Sequence, residues 1–195
     1  MDTRFRQWLG LTMQAILAAV LLTSLFVFVQ GSVADAAPVA VEPRQIALTP
    51  EDMPPGFTVA PDHTREGVIA NVGPMYQIGM TREFTEQNML DGPVFVLQQV
   101  VRLESSLGAG DALTLQRNYW TAQAGYIPSP SGPNDGGTFS LEKTDQGVKT
   151  YMLGFIKENM IIITGLGGVD GVVTYEGVKE LAGISSGRMD AALAQ

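Results

Sequence analysis

Cysteine is absent from this chain of 195 residues. Its absence excludes disulfides, thiolate nucleophiles, cysteine-based zinc sites and iron–sulfur ligation. It also excludes a lipid-modified cysteine at the end of a signal sequence. A domain without disulfides must be held together by its core, and a chain of this length can bury one. Histidine is nearly absent as well, since His63 is the only one.

Charge is also scarce: 16% of the residues are charged, below the usual fraction of about 25%. The formal net charge is -8. Within residues 1–36, Asp2 and Asp35 balance Arg4 and Arg6, so residues 37–195 carry all of it. An acidic domain repels nucleic acid and anionic lipid, so we expect neither as a partner of the folded part.

The N-terminal residues have the pattern of an export signal. Arg4 and Arg6 precede an apolar stretch from Leu9 to Val29, and Ala34-Asp35-Ala36 fits a signal-peptidase site that cuts before Ala37. The stretch is also long enough to cross a bilayer of about 30 Å uncleaved. Residues 1–36 are therefore predicted to be a signal peptide or a membrane anchor. In either case the rest is secreted or held at the outer face of the cytoplasmic membrane.

The remaining chain divides into a short linker and one domain. Residues 37–47 are rich in proline and alanine and predict a linker. Residues 48–195 predict a single α+β domain, an antiparallel sheet of about five to six strands with two helices packed on one face. The N-terminal apolar segment is expected to form a helix that precedes this domain.

The predicted elements follow from hydrophobic periodicity. Alternation of apolar and polar residues predicts strands over 76–84, 94–103 and 148–156, the first two as antiparallel neighbours. A short strand is predicted over 138–142, and 160–164 is apolar on both faces, as a central strand would be. Helical spacing predicts a helix over 108–124, with Ala112, Leu115, Tyr119 and Ala122 on one face. A last helix is expected after Thr174, which can cap it. Residues 127–137 predict an exposed loop, and Gly165 to Gly171 a bend.

Three stretches resemble the sensor-like extracytoplasmic α+β domains of bacterial lipoproteins and receptor-kinase ectodomains. They are the segment from Leu48 to Phe57 (LTPEDMPPGF), the long strand before the Gly110-Asp111-Ala112 helix, and the closing strand pair with a helix that ends Gly187-Arg188-Met189-Asp190. The resemblance covers most of residues 45–193. It implies a sensing, binding or scaffolding module and supplies no catalytic residues.

The glycines from Gly165 to Gly171 are similar to a dinucleotide-binding loop, in which the backbone approaches a pyrophosphate at a helix N-terminus. Such a loop opens a βαβ unit with an acidic residue on the next strand. No strand is predicted after Gly171, so we interpret the glycines as a strand-to-helix bend.

The sequence Gly183-Ile184-Ser185-Ser186-Gly187 matches the G-x-S-x-G pattern of hydrolases. A nucleophile elbow needs a strand before the serine and a histidine after it. Both serines lie in the last predicted helix, and no histidine follows. Close packing of the helix at Gly183 and Gly187 is the expected reason for the glycines.

Other candidate sites are weaker still. His63, Met75, Met80 and Met89 are soft ligands for copper, but they lack a tight repeat, and Met80 fits a core position. Carboxylates at Asp62, Glu83 and Glu86 are expected to lie on solvated surfaces. The sequence therefore assigns no catalytic, cofactor-binding or metal residue and no cofactor.

The leading hypothesis is a non-enzymatic extracytoplasmic module that binds a protein or a small-molecule ligand. The expected contact surfaces are the sheet face without helices, or loop 127–137, where Tyr126 can anchor a partner. The membrane is expected as a partner only through an uncleaved N-terminal segment. One alternative is an extracytoplasmic hydrolase with two converging carboxylates in a pocket, and another is a structural envelope protein.

Overall fold

The structure, a computed structural model, describes residues 40–69, 72–83, 85–104 and 108–194. The predicted signal peptide or anchor, residues 1–36, lies outside this part of the chain. Within the described ranges, no helix is both long enough and apolar enough to cross a membrane.

One antiparallel sheet organises the molecule. Its eight strands among the described residues are β1 (Thr58–Val59), β2 (Arg65–Ile69), β3 (Gly73–Thr81), β4 (Phe95–Arg102), β5 (Ile127–Pro128), β6 (Thr138–Asp145), β7 (Val148–Lys157) and β8 (Met160–Val169). The strand order is β1-β3-β4-β8-β7-β6-β5, and β2 also pairs with β3. The predicted pairing of the two long strands, here β3 and β4, is confirmed.

The sheet has more strands than the sequence predicted. The additional strands β1 and β5 have two residues each, which is too short for alternation to identify them. The additional strand β2 has the sequence REGVI, in which apolar and polar residues do not alternate. The predicted bend at Gly165 to Gly171 is largely wrong, because β8 continues to Val169. The strand lies between β4 and β7 in the middle of the sheet, where the helices Ala109–Ala124 and Tyr175–Leu193 cover its two faces. Burial of both faces explains its almost unbroken apolar sequence.

The helices are α1 (Pro43–Ile46), α2 (Glu86–Leu90), α3 (Ala109–Ala124) and α4 (Tyr175–Leu193). Single turns of 3-10 helix cover Pro50–Asp52 and Pro61–His63. As predicted, Thr174 caps α4: its hydroxyl accepts from the backbone N–H of Gly177 at 3.2 Å. Gly125 ends α3 in a left-handed conformation, with φ of 71°, which glycine adopts at little cost.

The two long helices pack on opposite faces of the sheet, so the prediction of both on one face is wrong. In β4, Val96 and Val100 belong to the core beneath α4, whereas Leu97 and Val101 belong to the core beneath α3. Successive side chains of a strand point to opposite faces. Alternation thus indicates which residues share a face, but it cannot indicate which helix covers that face.

The buried side of α3 also differs from the predicted one. Leu115 is 45% exposed, whereas Leu113, Gln116 and Trp120 are buried. The buried face of α3 is therefore rotated about the helix axis relative to the predicted face. In α4, Val178, Ser185 and Met189 are buried.

The predicted linker packs against the domain over its described part, residues 40–47. Ile46 and Ala47 are buried beneath the sheet face that α4 covers. The backbone N–H of Leu48 donates to Gln98 Oε1 at 2.7 Å, and the Arg188 guanidinium donates to the Ala47 carbonyl at 2.5 Å. These contacts hold the segment against the domain. The division of the chain at residue 36 stays a prediction.

Candidate functional site

A cleft of about 450 Å³ opens on the α4 face of the sheet. On the β3–β4 half of this face, α1 and the residues after it cover the strands. On the β6–β7 half the cover is narrower, consisting of α4 and the loop before β6. The cleft lies between α4 and the loop before β6, with β7 as its floor, and its volume is within the range of small-molecule sites.

Apolar side chains form most of the cleft surface. Leu153 and Phe155 of β7 rise from the floor, because both have the parity of strand residues that face α4. The ring of Tyr175, at the start of α4, lies at one end. Further along α4, the lining residues are Ala182 and Gly183, whose small size leaves the helix backbone close to the cleft. The cleft can therefore hold a flat or extended apolar group close to the helix backbone.

The expected close packing at Gly183 and Gly187 is wrong. Both residues are exposed, and a Cβ added at either would meet no atom within 4 Å. Glycine inside a helix costs roughly 1 kcal/mol relative to alanine. Nothing in the described chain uses the space that Gly183 leaves, and that space opens into the cleft.

The loop before β6 forms the opposite wall, through Ser131 and Pro133. Gly132 sits so close to the Ser140–Tyr175 hydroxyl pair that a Cβ there would overlap both oxygens. Those hydroxyls are 3.0 Å apart and hydrogen-bonded. Asn134 Oδ1 also accepts from the backbone N–H of Ser140 at 3.0 Å. The wall is thus held to the edge of β6 by specific contacts.

Charged groups near the cleft are paired. Glu176 and Lys179, on the helix rim, are 3.1 Å apart. At the far end, the Lys157 ammonium donates to Ser186 Oγ at 2.8 Å and is 2.6 Å from Asp190 Oδ1. Lys157 Nζ is the donor in the contact with Ser186, and the serine hydroxyl oxygen is the acceptor.

A second ion pair lies on the same sheet face, between β6 and β7. Lys149 Nζ donates to Glu142 Oε1 at 2.8 Å, and the Ser129 hydroxyl donates to Glu142 Oε2 at 2.8 Å. Burial opposes ionisation of Glu142, but these hydrogen bonds outweigh it and lower the pKa of that carboxyl. The hydrogen bond to Glu142 raises the pKa of Lys149 above its ordinary value. The pair is a fixed salt bridge that links β6, β7 and the loop before β6.

The structure does not support a nucleophile elbow at Gly183 to Gly187. Ser185 is fully buried and accepts from Gln98 Nε2 at 2.9 Å. Ser186 lies at the cleft, but its hydroxyl is held by Lys157. Both serines are within α4, as the sequence predicted, and neither sits at a strand-to-helix turn.

The glycines of the dinucleotide-like stretch have a packing role. Gly165, Gly167 and Gly168 are inside β8. A Cβ on Gly167 would overlap the ring of Phe95, and one on Gly168 would meet Val173. The glycines therefore allow neighbouring side chains to cross the strand.

The copper candidates do not converge. Met75 belongs to the core beneath α3 and Met80 to the core beneath α4, on opposite faces of β3. Met89 packs near a third, small cluster with Val94. Within the described ranges, no group of three His, Cys, Asp or Glu residues is arranged to hold a metal ion.

The carboxylate candidates lie away from the cleft. Asp62 is in a short 3-10 turn, Glu83 is exposed, and the side chain of Glu86 lies outside the described part. Glu176 is the one carboxylate among the described residues that line the cleft. A hydrolase that uses two converging carboxylates has no support in this geometry.

Tyr126 is not available as a surface anchor, contrary to the expectation. It is 3% exposed, and its ring packs edge-on against Trp120. Burial raises the pKa of its hydroxyl, partly offset by a hydrogen bond with Thr150. The neighbouring Ile127 is 59% exposed, so the loop is exposed in part, as predicted.

Sequence reasoning missed the cleft residues Tyr175, Gly183 and Gly132. Gly183 carried a detectable signal, since a glycine inside a predicted helix always needs a reason. Tyr175 and Gly132 carried none, because their roles depend on contacts across 43 residues of chain.

Known proteins show similarity to this chain at the level of solved structures. No protein-family model matches the chain, and no curated protein matches it. Among solved structures, the chain is similar to the crystal structure of the extracellular domain of PknH from Mycobacterium tuberculosis, at 10% identity and a TM-score of 0.48. The alignment covers 81% of this chain and 98% of that domain. A similarity at this level transfers neither a ligand nor a function.

Proposed function

We propose that this chain is an exported or membrane-anchored, non-enzymatic binding module, and that it holds a small ligand in the cleft between α4, β7 and the loop before β6. The observation that carries the proposal is Gly183. Its missing side chain opens into the cleft, no other described residue fills the space, and the helix bears the cost of the glycine. A ligand in the cleft can pack against the helix backbone at this point.

The shape and surface of the cleft support a ligand site. Its floor is apolar, polar side chains such as Ser131, Glu176 and Ser186 lie around it, and its two walls belong to different parts of the chain. Such a concave, mostly apolar pocket with a few polar groups is typical of small-molecule sites. The alternative, a purely structural envelope protein, does not predict an open cleft of this kind.

The binding test uses Gly183→Leu and its matched control, Gly187→Leu. Both glycines lie inside α4 with open Cβ positions, but only Gly183 lines the cleft. Fluorescence titration with N-phenylnaphthylamine, an uncharged apolar dye, reports occupancy. We expect Gly183→Leu to weaken dye binding by roughly tenfold or more and Gly187→Leu to leave it unchanged, because only the first leucine fills the cleft.

Equal dye affinity in the two variants would exclude the cleft as the binding site. Loss of folding does not confound the comparison, because replacing a helix glycine with leucine favours the helix in both variants by about 0.5–1 kcal/mol.

Export has its own test, since it depends on residues 1–36. Intact mass and N-terminal sequence should be determined for the protein in the membrane fraction and in the released fraction. An N-terminus at Ala37 in the released fraction supports secretion. A chain that keeps Met1 in the membrane supports an anchored ectodomain. A chain that keeps Met1 in the cytosol would contradict both forms of the proposal.

A further inference from the structure

In the Ser140–Tyr175 hydroxyl pair, one of the two hydroxyl hydrogens has no acceptor within the pair. The two oxygens share a single hydrogen bond of 3.0 Å, and two hydroxyls bring two protons. Within the described residues, neither hydroxyl makes another hydrogen bond. Ser140 is fully buried and Tyr175 is 8% exposed, so a hydroxyl proton there favours an acceptor strongly. Because Tyr175 lines the cleft, a ligand in the cleft can provide that acceptor.

The charged groups around the cleft are already paired with one another. Glu176 and Lys179 neutralise each other on the rim. The Lys157 ammonium has three oxygen acceptors: the carbonyl and hydroxyl of Ser186 and the carboxylate of Asp190. An anion would also approach a domain with a net charge of -8. A buried charge without a partner is costly, so the site favours an uncharged molecule.

The apolar side chains of the cleft indicate what kind of group the ligand places against them. Leu153, Phe155 and the Tyr175 ring are apolar over the floor and one end, and Gly183 lets a flat group approach the helix. Aromatic floors favour planar groups, which can stack or pack edge-on.

We propose that the ligand of the cleft is an uncharged molecule with a planar apolar body and a carbonyl-type acceptor that binds the Ser140–Tyr175 hydroxyl pair. This inference rests on the proposed function and specifies its ligand class. Tyr175 acts as the hydrogen-bond donor to the ligand, either directly or because Ser140 donates to it. The acceptor fixes the ligand at the Tyr175 end, and the apolar body extends toward Gly183.

The test compares three naphthalene dyes of similar size on the intact protein. Prodan is uncharged and carries a ketone, N-phenylnaphthylamine is uncharged and carries no carbonyl, and anilinonaphthalene sulfonate is anionic. Affinities are measured for the wild type, for Tyr175→Phe and for the control Tyr151→Phe, which removes a hydroxyl from the ring beside Tyr175. Trp120 fluorescence during urea unfolding checks that each variant is folded.

We expect prodan to bind the wild type most tightly. Tyr175→Phe should weaken prodan roughly five- to tenfold, the effect of one lost hydrogen bond. It should not change the affinity of N-phenylnaphthylamine, which keeps the same ring contacts, and Tyr151→Phe should change neither.

Three results would overturn the inference, and they are distinguishable. Tighter binding of the sulfonate than of prodan would refute the uncharged ligand. An unchanged prodan affinity in Tyr175→Phe would refute the acceptor at the hydroxyl pair, while the proposed function would stand. If no dye binds in a manner sensitive to Gly183→Leu, the proposed function itself fails and this inference fails with it.

Discussion

Gln98 Nε2 donates to the hydroxyl of Ser185 at 2.9 Å, and both side chains are fully buried between the sheet and α4. The same nitrogen donates to Thr164 Oγ1 at 3.0 Å, and Gln98 Oε1 accepts from the backbone N–H of Leu48 at 2.7 Å. This one amide thus joins β4, β8, α4 and the N-terminal segment. A buried polar network of this kind stabilises a fold only when its hydrogen bonds are made.

The Gln98 network predicts different effects for the two serines of the G-x-S-x-G pattern. Ser185→Ala leaves a buried amide N–H without its acceptor and should lower the free energy of unfolding by about 1–3 kcal/mol. Ser186→Ala, the neighbouring control, removes one of several acceptors from the partly exposed Lys157 and should cost less than about 0.5 kcal/mol. Urea unfolding measures both. Equal effects would show that the network does not stabilise the fold.

The packing of residues 41–47 predicts that the folded domain starts before Leu48. A chain that begins at Leu48 loses the buried Val41 and Ile46 side chains. Each is worth about 1.5–3 kcal/mol when buried, so we expect a loss of roughly 3–6 kcal/mol relative to a chain that begins at Ala37. Urea unfolding, followed by the fluorescence of Trp120, measures the difference. Equal stability of the two chains would restore the segment as a free linker.

Part of this fold follows from the sequence because it depends on neighbouring residues. The stop at Gly125, the cap at Thr174 and the pairing of β3 with β4 are set by local chemistry or by adjacent strands. The short strands β1 and β5 carry no periodicity, because each has only two residues.

The cleft did not follow from the sequence, since distant segments build it. Ser131, Phe155 and Gly183 meet there from a loop, a strand and a helix. Their juxtaposition depends on which sheet face α4 covers, and alternation along a strand leaves that choice open. The burial of Tyr126 could not be predicted from the sequence for a similar reason, because it results from tertiary packing against Trp120.

The Glu142–Lys149 ion pair predicts a loss of stability in acid. The side chains are 15% and 13% exposed, and the hydrogen bonds place the pKa of Glu142 below its ordinary value of 4.5 in the folded state. A carboxyl with a depressed pKa stabilises the fold above its unfolded pKa, and this contribution disappears as the pH falls through the folded pKa. The wild type should therefore exceed Glu142→Gln in stability at neutral pH by about 1 kcal/mol.

That advantage should shrink as the pH is lowered below 4.5, and urea unfolding of both proteins over a range of acidic pH measures it. On the alkaline side, the pKa of Lys149 is raised above 10.5. The contribution of Lys149 to stability is complete below pH 10.5, and it is lost only as the pH rises through the higher pKa of the folded state. A stability difference that stays constant down to the acid limit of folding would contradict this assignment.

Gly132 and Gly136 lie in one loop but predict opposite outcomes for the same substitution. A Cβ at Gly132 would overlap Ser140 Oγ and Tyr175 Oη, whereas one at Gly136 would meet nothing within 4 Å. Gly132→Ala must therefore push the loop away from the hydroxyl pair. We expect a loss of stability of about 1–3 kcal/mol, typical of overpacking. Gly136→Ala should be neutral or slightly stabilising, because it only restricts the unfolded chain.

Displacement of the loop should also be visible at the site itself. In Gly132→Ala the backbone N–H of Ser140, which donates to Asn134 Oδ1, should exchange faster with solvent, and prodan should bind more weakly because one cleft wall has moved. Deleting residues 129–136 is a less specific test, since it also removes the buried Ser129 and its hydrogen bond to Glu142. If Gly132→Ala leaves both the exchange rate and the dye affinity unchanged, the loop is not a functional wall of the cleft.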